Sequence, residues 1–309
     1  MRIDAHLDTA LWLTQGNIRR APQAAADFER MAANLDIAFL AVFVHPEKTA
    51  WPAGDGLHLL TCLREAVAEN TDLVQPLLWQ EDLSLPFGGV KALITAEGGE
   101  LLGDSAELLD LWYERGLRNL GLTWNGANHL AAGCAVVGGL SPLGRRVVRD
   151  CNRMGILVDA AHLAAEGFWQ LLEVSERPII VSHAACAALR PHRRNLTDAQ
   201  IRALAAQRGV LGITFADLFL AEQAASLADV VAHIAHAVEI GGIDCVGIGS
   251  DFDGADMPRG LESVEKLPNL YAALLQTGFN SEEVAKICGG NFYRILQENL
   301  PPKGKSNAR

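Results

Sequence analysis

Residues 155–183 read GILVDAAHLAAEGFWQLLEVSERPIIVSH and predict one strand–helix–strand unit. A short apolar run, 155–162, is followed by a helical pattern over 165–175 and by a second apolar run over 177–183. Apolar runs joined by a helix are typical of parallel strands, because helices cover both faces of a parallel sheet. Each run ends in a histidine, so a polar side chain stands where each predicted strand stops.

The same alternation continues along almost the whole chain. Six further apolar runs lie at 2–6, 36–44, 90–96, 117–124, 209–215 and 244–252. Further helical patterns lie at 22–34, 103–115, 142–154, 197–207 and 225–241. Eight buried strands alternating with helices predict an α/β fold, a parallel sheet closed as a (β/α)8 TIM barrel. An open doubly wound sheet is the structural alternative, but no GxGxxG motif follows the first strand.

The length of 309 residues fits one barrel with insertions. We expect residues 1–300 to form a single catalytic barrel domain and residues 301–309 to be a disordered tail. Two stretches are additions to the basic pattern. Residues 76–90 predict a hairpin or a loop before the third strand, and residues 124–141 predict a long Gly/Ala-rich loop after the fourth.

Composition excludes several classes of partner. The chain has 26 Lys and Arg against 37 Asp and Glu, a net charge of −11, which argues against nucleic acid and against an anionic membrane surface. None of the six cysteines is in CxxC spacing, which favours free buried thiols in a reducing compartment. Neither a signal-like segment nor a membrane-length apolar stretch is seen, so we expect a cytoplasmic protein.

Metal-ligand residue types gather at the predicted strand ends, where barrel enzymes carry their active sites. His6 and Asp8 end the first strand, and residues two apart on a strand point to the same side. Glu97 follows the third strand, and His162 and His183 end the fifth and sixth. Imidazole and carboxylate ligands suit Zn²⁺, and they also accept other divalent metals.

The number of ligands predicts two metal ions with Glu97 as the bridge between them. A carbamylated lysine is the alternative bridge, but Lys91 lies near the start of its strand, away from the barrel mouth. Asp251 lies at the end of the eighth strand, in GIGSDFDG. Asp159, earlier on the fifth strand, is a candidate orienting partner for His162.

Seven motifs, in this order, make the chain resemble the membrane (renal) dipeptidase family of binuclear zinc peptidases, in particular its soluble bacterial members. They are DAHLD, AEGG, LTWNGANHLAAG, GILVDAAHL, PIIVSHAACAALRPHRRNLTD, VGIGSDFDG and GGNFYRIL. The resemblance covers nearly the whole chain and implies a barrel of the metallo-dependent hydrolase type. It implies that His6 and Asp8 bind one zinc ion, that Glu97 bridges both ions, and that His162 and His183 bind the second.

The resemblance also implies roles around the substrate. Asp251 would handle protons beside the metals, and Arg194, in HRRN, would bind the C-terminal carboxylate of the substrate. An arginine suits a carboxylate because it donates two parallel hydrogen bonds. Two positions depart from the family pattern. Trp124 stands where the best-studied members carry a histidine thought to stabilise the carbonyl oxygen, and Glu100 stands where a histidine is often found.

The function that follows is hydrolysis of dipeptides, L-L and also L-D, by hydroxide shared between two zinc ions. Trp124 and His129 are candidate substrate-binding residues that could stabilise the oxyanion. Two alternatives stay open: another binuclear amidohydrolase acting on a non-peptide or cyclic amide, and a non-catalytic relative with a decayed substrate site. A homodimer is a further expectation, because barrels of this kind often dimerise.

Overall fold

Parallel strands close into the barrel that the alternating pattern predicts. The computed structural model describes residues 1–14 and 18–304. Within them the strands are β1 (Ile3–Leu7), β2 (Ile37–Val42), β3 (Val74–Pro76), β4 (Val90–Ala96), β5 (Leu117–Gly121), β6 (Leu157–Asp159), β7 (Ile180–Ala184), β8 (Val210–Ile213) and β9 (Val246–Ile248). All of them pair in parallel, in the order β1-β2-β4-β5-β6-β7-β8-β9, with β3 attached beside β4. The (β/α)8 prediction is therefore confirmed, and the open doubly wound sheet is excluded.

The barrel closes along a seam between β1 and the segment after β9. Leu7 and Phe252 form a parallel bridge there. The Asp8 N–H donates to the Phe252 carbonyl at 2.8 Å, and the Asp251 N–H donates to the His6 carbonyl at 3.1 Å. These hydrogen bonds bring residues from the two sides of the seam into direct contact.

Helices surround the strands. Across the described residues they are α1 (Phe28–Asn34), α2 (Pro52–Glu69), α3 (Glu107–Glu114), α4 (Pro142–Met154), α5 (Ala165–Val174), α6 (Asp198–Ala206), α7 (Asp217–Leu220), α8 (Leu227–Gly241), α9 (Leu267–Thr277), α10 (Ser281–Ala285) and α11 (Asn291–Asn299). Thr197 caps α6, because its side chain accepts from the Gln200 N–H. None of the described helices has both the length and the apolarity needed to cross a lipid bilayer.

Helix α11 covers the end of the barrel where the strands start, opposite the carboxyl ends of the strands. Phe292 packs edge-on against Phe39 at 6.0 Å between ring centroids, inside a cluster that includes Ile3, Ile37 and Val210 near the strand starts. Burial of these side chains holds the strand starts together, because apolar area removed from water contributes roughly 25 cal/mol per Å². The opposite end is therefore the one left open for a site.

The structure differs from the expectations in the segment before β4. Residues 74–76 form a strand parallel to β4, and Gln80–Leu83 form a 3-10 helix, so the hairpin alternative is not formed. Residues 124–141 are irregular, as expected, with isolated bridges such as Ala131 to Leu140. In the expected tail, Pro301 is buried and its carbonyl accepts from Gln80 at 3.0 Å, while residues 305–309 lie outside the described residues.

Candidate metal centre

Five of the predicted ligands meet at the carboxyl ends of four strands. His6 is in β1 and Asp8 directly follows it, Glu97 follows β4, His162 follows β6, and His183 is in β7. All five are buried except Glu97, which is half-buried. The His162 Nε2 and His183 Nε2 atoms lie 3.0 Å apart. Because parallel strands end at the same rim of the barrel, residues that are distant in sequence come together in one small volume.

The Glu97 carboxylate lies at the centre and faces two groups of ligands with different oxygens. Its Oε2 lies 3.4 Å from His6 Nε2. Its Oε1 lies 3.0 Å from His162 Nε2 and 3.8 Å from His183 Nε2. A carboxylate with one oxygen toward each of two ligand groups has the arrangement that a bridging ligand requires.

The donor atoms suit a divalent cation. Three groups of three residues each bring their ligand atoms within 4.8 Å of one another: His6, Asp8 and Glu97; Glu97, His162 and His183; and His6, His183 and Asp251. His6 Nε2 and Asp8 Oδ1 are buried without a hydrogen-bond partner among the described residues. Unpartnered buried donors and acceptors are costly, so their concentration here fits a bound cation.

Electrostatics also favour a cation. Burial, followed by the charge of Glu97, raises the pKa of Asp8, and burial, followed by the charge of Asp8, raises the pKa of Asp251 well above its usual range. Burial opposes ionisation of Glu97, but the charge of His6 and the hydrogen bond with His162 hold its pKa below the usual range. Three carboxyl groups this close repel one another when ionised, and a cation relieves that repulsion.

The two later histidines are held neutral, as metal ligands must be. Burial, and then the charge of Arg194, lower the pKa of His162 to about 4. Burial, and then the charge of His6, lower the pKa of His183 well below its usual range. Their Nε2 lone pairs are therefore available for a metal near neutral pH.

Neighbouring polar groups orient the histidine rings. The Ser182 hydroxyl lies 2.9 Å from His183 Nδ1, and Asn125 Oδ1 lies 2.9 Å from His162 Nδ1. The prediction that Asp159 orients His162 is wrong. Asp159 Oδ1 accepts instead from the backbone N–H groups of Ala161 and Ser182, both at 2.9 Å, because its side chain turns toward β7.

Two site residues have left-handed backbone conformations. His162 has φ 65° and Asp251 has φ 68°, a region that residues other than glycine rarely adopt. Such conformations persist where surrounding contacts determine them, and they are frequent at functional sites.

A cavity of 760 Å³ lies in front of the ligands. Its walls include Asp8, Glu97, His162, His183, Asp251, Trp124, Asn125, Arg194 and Phe219. A volume of this size accommodates a small molecule. The ligand atoms therefore face a space that a substrate can enter.

Arg194 lies in the wall of this cavity and is 5% exposed. Its Nη2 donates to the His183 carbonyl at 3.1 Å, and its guanidinium carbon lies 5.4 Å from the centre of the Phe219 ring. These contacts fix the guanidinium group beside His183, a predicted metal ligand, and leave Nε without a partner among the described residues.

The two remaining candidate substrate-binding residues, Trp124 and His129, differ in their placement. Trp124 lines the cavity, and its ring packs against His45 and Phe43, at 4.8 and 5.4 Å between centroids. The structure does not bring His129 into the cavity, because its side chain is exposed on the loop after β5. Its backbone carbonyl accepts from the Ser141 hydroxyl at 2.6 Å. We therefore withdraw His129 as a substrate-binding residue.

Sequence reasoning missed Asn125 and Phe219 as site residues. Asn125 directly follows Trp124, so the end of the predicted fourth strand was a signal for it. Phe219 is in the short helix α7, and nothing in its local pattern indicates a site, since an aromatic residue in a helix is usually part of the core. Its contact with Arg194 is visible only in the folded chain.

A parallel (β/α)8 barrel with histidine and carboxylate side chains gathered at its strand ends defines the class of metallo-dependent hydrolases. A family model described as membrane dipeptidase (peptidase family M19) matches residues 1–306. The chain therefore belongs to the membrane dipeptidase family and is a metallopeptidase.

Individual relatives agree with this assignment. The chain is 31% identical to the dipeptidase aclJ of Aspergillus oryzae over 323 residues, which covers 95% of this chain and 76% of that protein. It is 38% identical to the dipeptidase tcpJ of Claviceps purpurea over 221 residues, 68% of this chain. That match spans only 51% of the Claviceps protein, about half its length.

Solved structures show the same fold. The dipeptidase AC, described as a metallopeptidase of family M19, superposes with a TM-score of 0.86 at 28% identity, covering 97% of this chain and 98% of that one. A metallopeptidase from Rhodobacter sphaeroides, liganded with a phosphinate mimic of the dipeptide L-Ala-D-Ala, superposes with a TM-score of 0.84 at 27% identity, covering 96% and 99%.

Proposed function

We propose that this chain hydrolyses the peptide bond of dipeptides with two zinc ions held at the barrel mouth. The observation that carries the proposal is the position of Glu97, whose two oxygens face different histidines in front of a cavity that also contains a buried arginine. His6 and Asp8 would hold one ion, His162 and His183 the other, and Glu97 both. When bound, a pair of such ions lowers the pKa of a shared water and polarises the scissile carbonyl.

Asp251 is the proposed proton carrier. It lines the cavity and lies within reach of the ligands, with its Oδ1 4.0 Å from His6 Nε2. Its raised pKa suits a group that accepts a proton from the attacking water and returns it to the leaving amine. The backbone hydrogen bond from Asp251 to the His6 carbonyl keeps its carboxyl beside the first ligand group.

Arg194 is the proposed anchor for the free C-terminal carboxylate of the substrate. A buried guanidinium that lines a cavity and has an unpartnered Nε donor favours an anion there. Fixing the carboxylate one residue from the metals selects dipeptides over longer chains, since the scissile bond must lie at the ligands. Trp124 would form an apolar wall of the same cavity.

A D-residue at the C-terminal position is part of the proposal. The Rhodobacter metallopeptidase binds a mimic of L-Ala-D-Ala, and this chain shares its fold over nearly the full length. We expect both L-L and L-D dipeptides to be cleaved.

The test is to purify the protein, measure its metal content, and assay a library of L-L and L-D dipeptides with and without a chelator. We expect two equivalents of metal and cleavage that the chelator abolishes. If two equivalents bind but cyclic or carboxylate-free amides are cleaved and dipeptides are not, the chain is another amidohydrolase. If nothing in either set is cleaved, the proposed activity is refuted and the decayed-site alternative is favoured.

A further inference from the structure

We propose that Asn125 serves the metal centre with both ends of its side-chain amide. Its Oδ1 positions the metal ligand His162, and its Nδ2 donates a hydrogen bond to the carbonyl oxygen of the bound peptide. The first role concerns the metal site alone, whereas the second rests on the proposed dipeptidase function.

The contacts of Oδ1 support the positioning role. Asn125 Oδ1 lies 2.9 Å from His162 Nδ1 and accepts from the Cys134 thiol at 3.2 Å. A neutral histidine that offers Nε2 to a metal carries its proton on Nδ1, so Nδ1 needs an acceptor. Only the amide oxygen can accept, and this requirement settles which end of the amide faces the ring.

The same requirement turns the amide nitrogen away from His162. The amide is planar, so its NH₂ group points to the other side of Cγ from the oxygen. Asn125 lines the 760 Å³ cavity and is half-buried, and Nδ2 has no partner among residues 1–14 and 18–304. Two hydrogen bonds hold the oxygen, so the nitrogen is an unused donor of a side chain that lines the cavity.

A donor at this position has a chemical use. Negative charge develops on the carbonyl oxygen when a nucleophile attacks a peptide bond, and a preorganised neutral donor stabilises that charge. Asn125 is one imidazole ring away from the Nε2 atom that faces Glu97. Asn125 lines the same cavity as Glu97, His162 and His183, so a peptide bound in front of these ligands occupies the space that the Asn125 side chain borders.

Two substitutions at Asn125 separate the roles. Asn125→Ala removes both the acceptor and the donor. Asn125→Asp keeps an acceptor for His162 but replaces the donor with a second oxygen at nearly the same size. Asn269→Asp is the matched control, because Asn269 is exposed and its Nδ2 only donates to the Gly260 carbonyl at 3.1 Å.

Zinc affinity is measured first, by competition with a chromophoric chelator. We expect Asn125→Ala to weaken binding of one equivalent by roughly 10- to 100-fold, the range for the loss of a ligand-orienting partner. Asn125→Asp should restore wild-type affinity or exceed it, because a carboxylate is a stronger acceptor for the His162 N–H. Wild-type affinity in Asn125→Ala overturns the positioning role.

Turnover is then measured with metal-saturated enzyme and an L-L dipeptide. We expect Asn125→Asp to lower kcat by about 100- to 1,000-fold, as loss of a single oxyanion donor does, with KM little changed. Asn269→Asp should match wild type in both measurements. Unchanged kcat in Asn125→Asp overturns the donor role. If the wild type cleaves no dipeptide, the proposed function and the donor role both fail, while the affinity series still decides the positioning role.

Discussion

The guanidinium group of Arg194 is buried, yet only Nη2 among its nitrogens donates a hydrogen bond within the described part of the chain. Burying a charged group with an unsatisfied donor is costly, so the folded chain keeps this residue at the expense of stability. Phe219 and the His183 carbonyl hold the group without neutralising it. A negatively charged substrate group would supply the missing partner.

Replacing Arg194 by alanine tests that role. We expect KM for a dipeptide to rise roughly 10- to 100-fold, because a charge-assisted hydrogen bond contributes about 1.5–3 kcal/mol. The same dipeptide with an amidated C-terminus should be affected little, since it has no carboxylate to bind. Steady-state kinetics on both substrates provides the comparison, and equal effects on the two would contradict the carboxylate role.

Asp251→Asn tests the proton carrier. The amide cannot take up a proton from water, so we expect kcat to fall by roughly 100- to 10,000-fold while two equivalents of metal remain bound. Metal analysis and dipeptide turnover are measured on the same preparation. Asp104→Asn, at an exposed position, is the matched control. Turnover that survives in Asp251→Asn would remove Asp251 from the mechanism.

At the residue scale, the position of a side chain could be predicted where a strand end determines it. His162 and His183 could be placed because parallel strands end at one edge of the barrel. His129 could not, because it lies five residues after Trp124 in a loop whose path depends on contacts across the loop itself, such as the hydrogen bond from the Ser141 hydroxyl. Asn125 was overlooked for a related reason, since its partner His162 is distant in sequence.

At the scale of elements, strands β7, β8 and β9 approach each other closely beneath the ligands. A methyl group added at Gly212 or at Gly249 would overlap the Ser182 carbonyl oxygen. Ser182 precedes His183 and orients its ring. Gly212, in β8, and Gly249, directly after β9, therefore leave room for the β7 backbone that carries His183.

Gly249→Ala should disturb both stability and the site. We expect the free energy of unfolding to fall by about 1–3 kcal/mol, the usual cost of overpacking, as measured by urea denaturation. Zinc affinity should fall as well, because β7 must shift. Gly88→Ala is the matched control, since a methyl group there meets no atom within 4 Å. Wild-type stability and affinity in Gly249→Ala would show that the strands can separate at no cost.

Most strands and helices could be predicted from the sequence, but some elements, such as β3 and α2, could not. The eight barrel strands follow from apolar runs, but β3 has only three residues, too few for a pattern. The longest helix of the described residues, α2, was not predicted, because Gly54 and Gly56 near its start obscure the helical signal. Its burial against the barrel, through residues such as Leu60 and Leu63, stabilises it instead.

At the scale of the whole molecule, the ligands join strands from around the barrel. We expect removal of zinc to lower the unfolding temperature, because a ligand present at 100 times its Kd adds about 2.7 kcal/mol to the stability of the folded state. Differential scanning fluorimetry with and without a chelator measures the change, and added zinc should reverse it. An unchanged unfolding temperature would contradict metal binding by the folded barrel.

The barrel seam determines when this site can form during folding. Asp251 donates to the His6 carbonyl, and Asp8 donates to the Phe252 carbonyl, so contacts between residues that are very distant in sequence close the barrel. Contacts of such high sequence separation form late, since a long loop must be closed first. On the ribosome, His6 and Asp8 emerge before Asp251 and must wait for the segment after β9 that carries it. We therefore expect capture of the first metal ion to follow synthesis of β9.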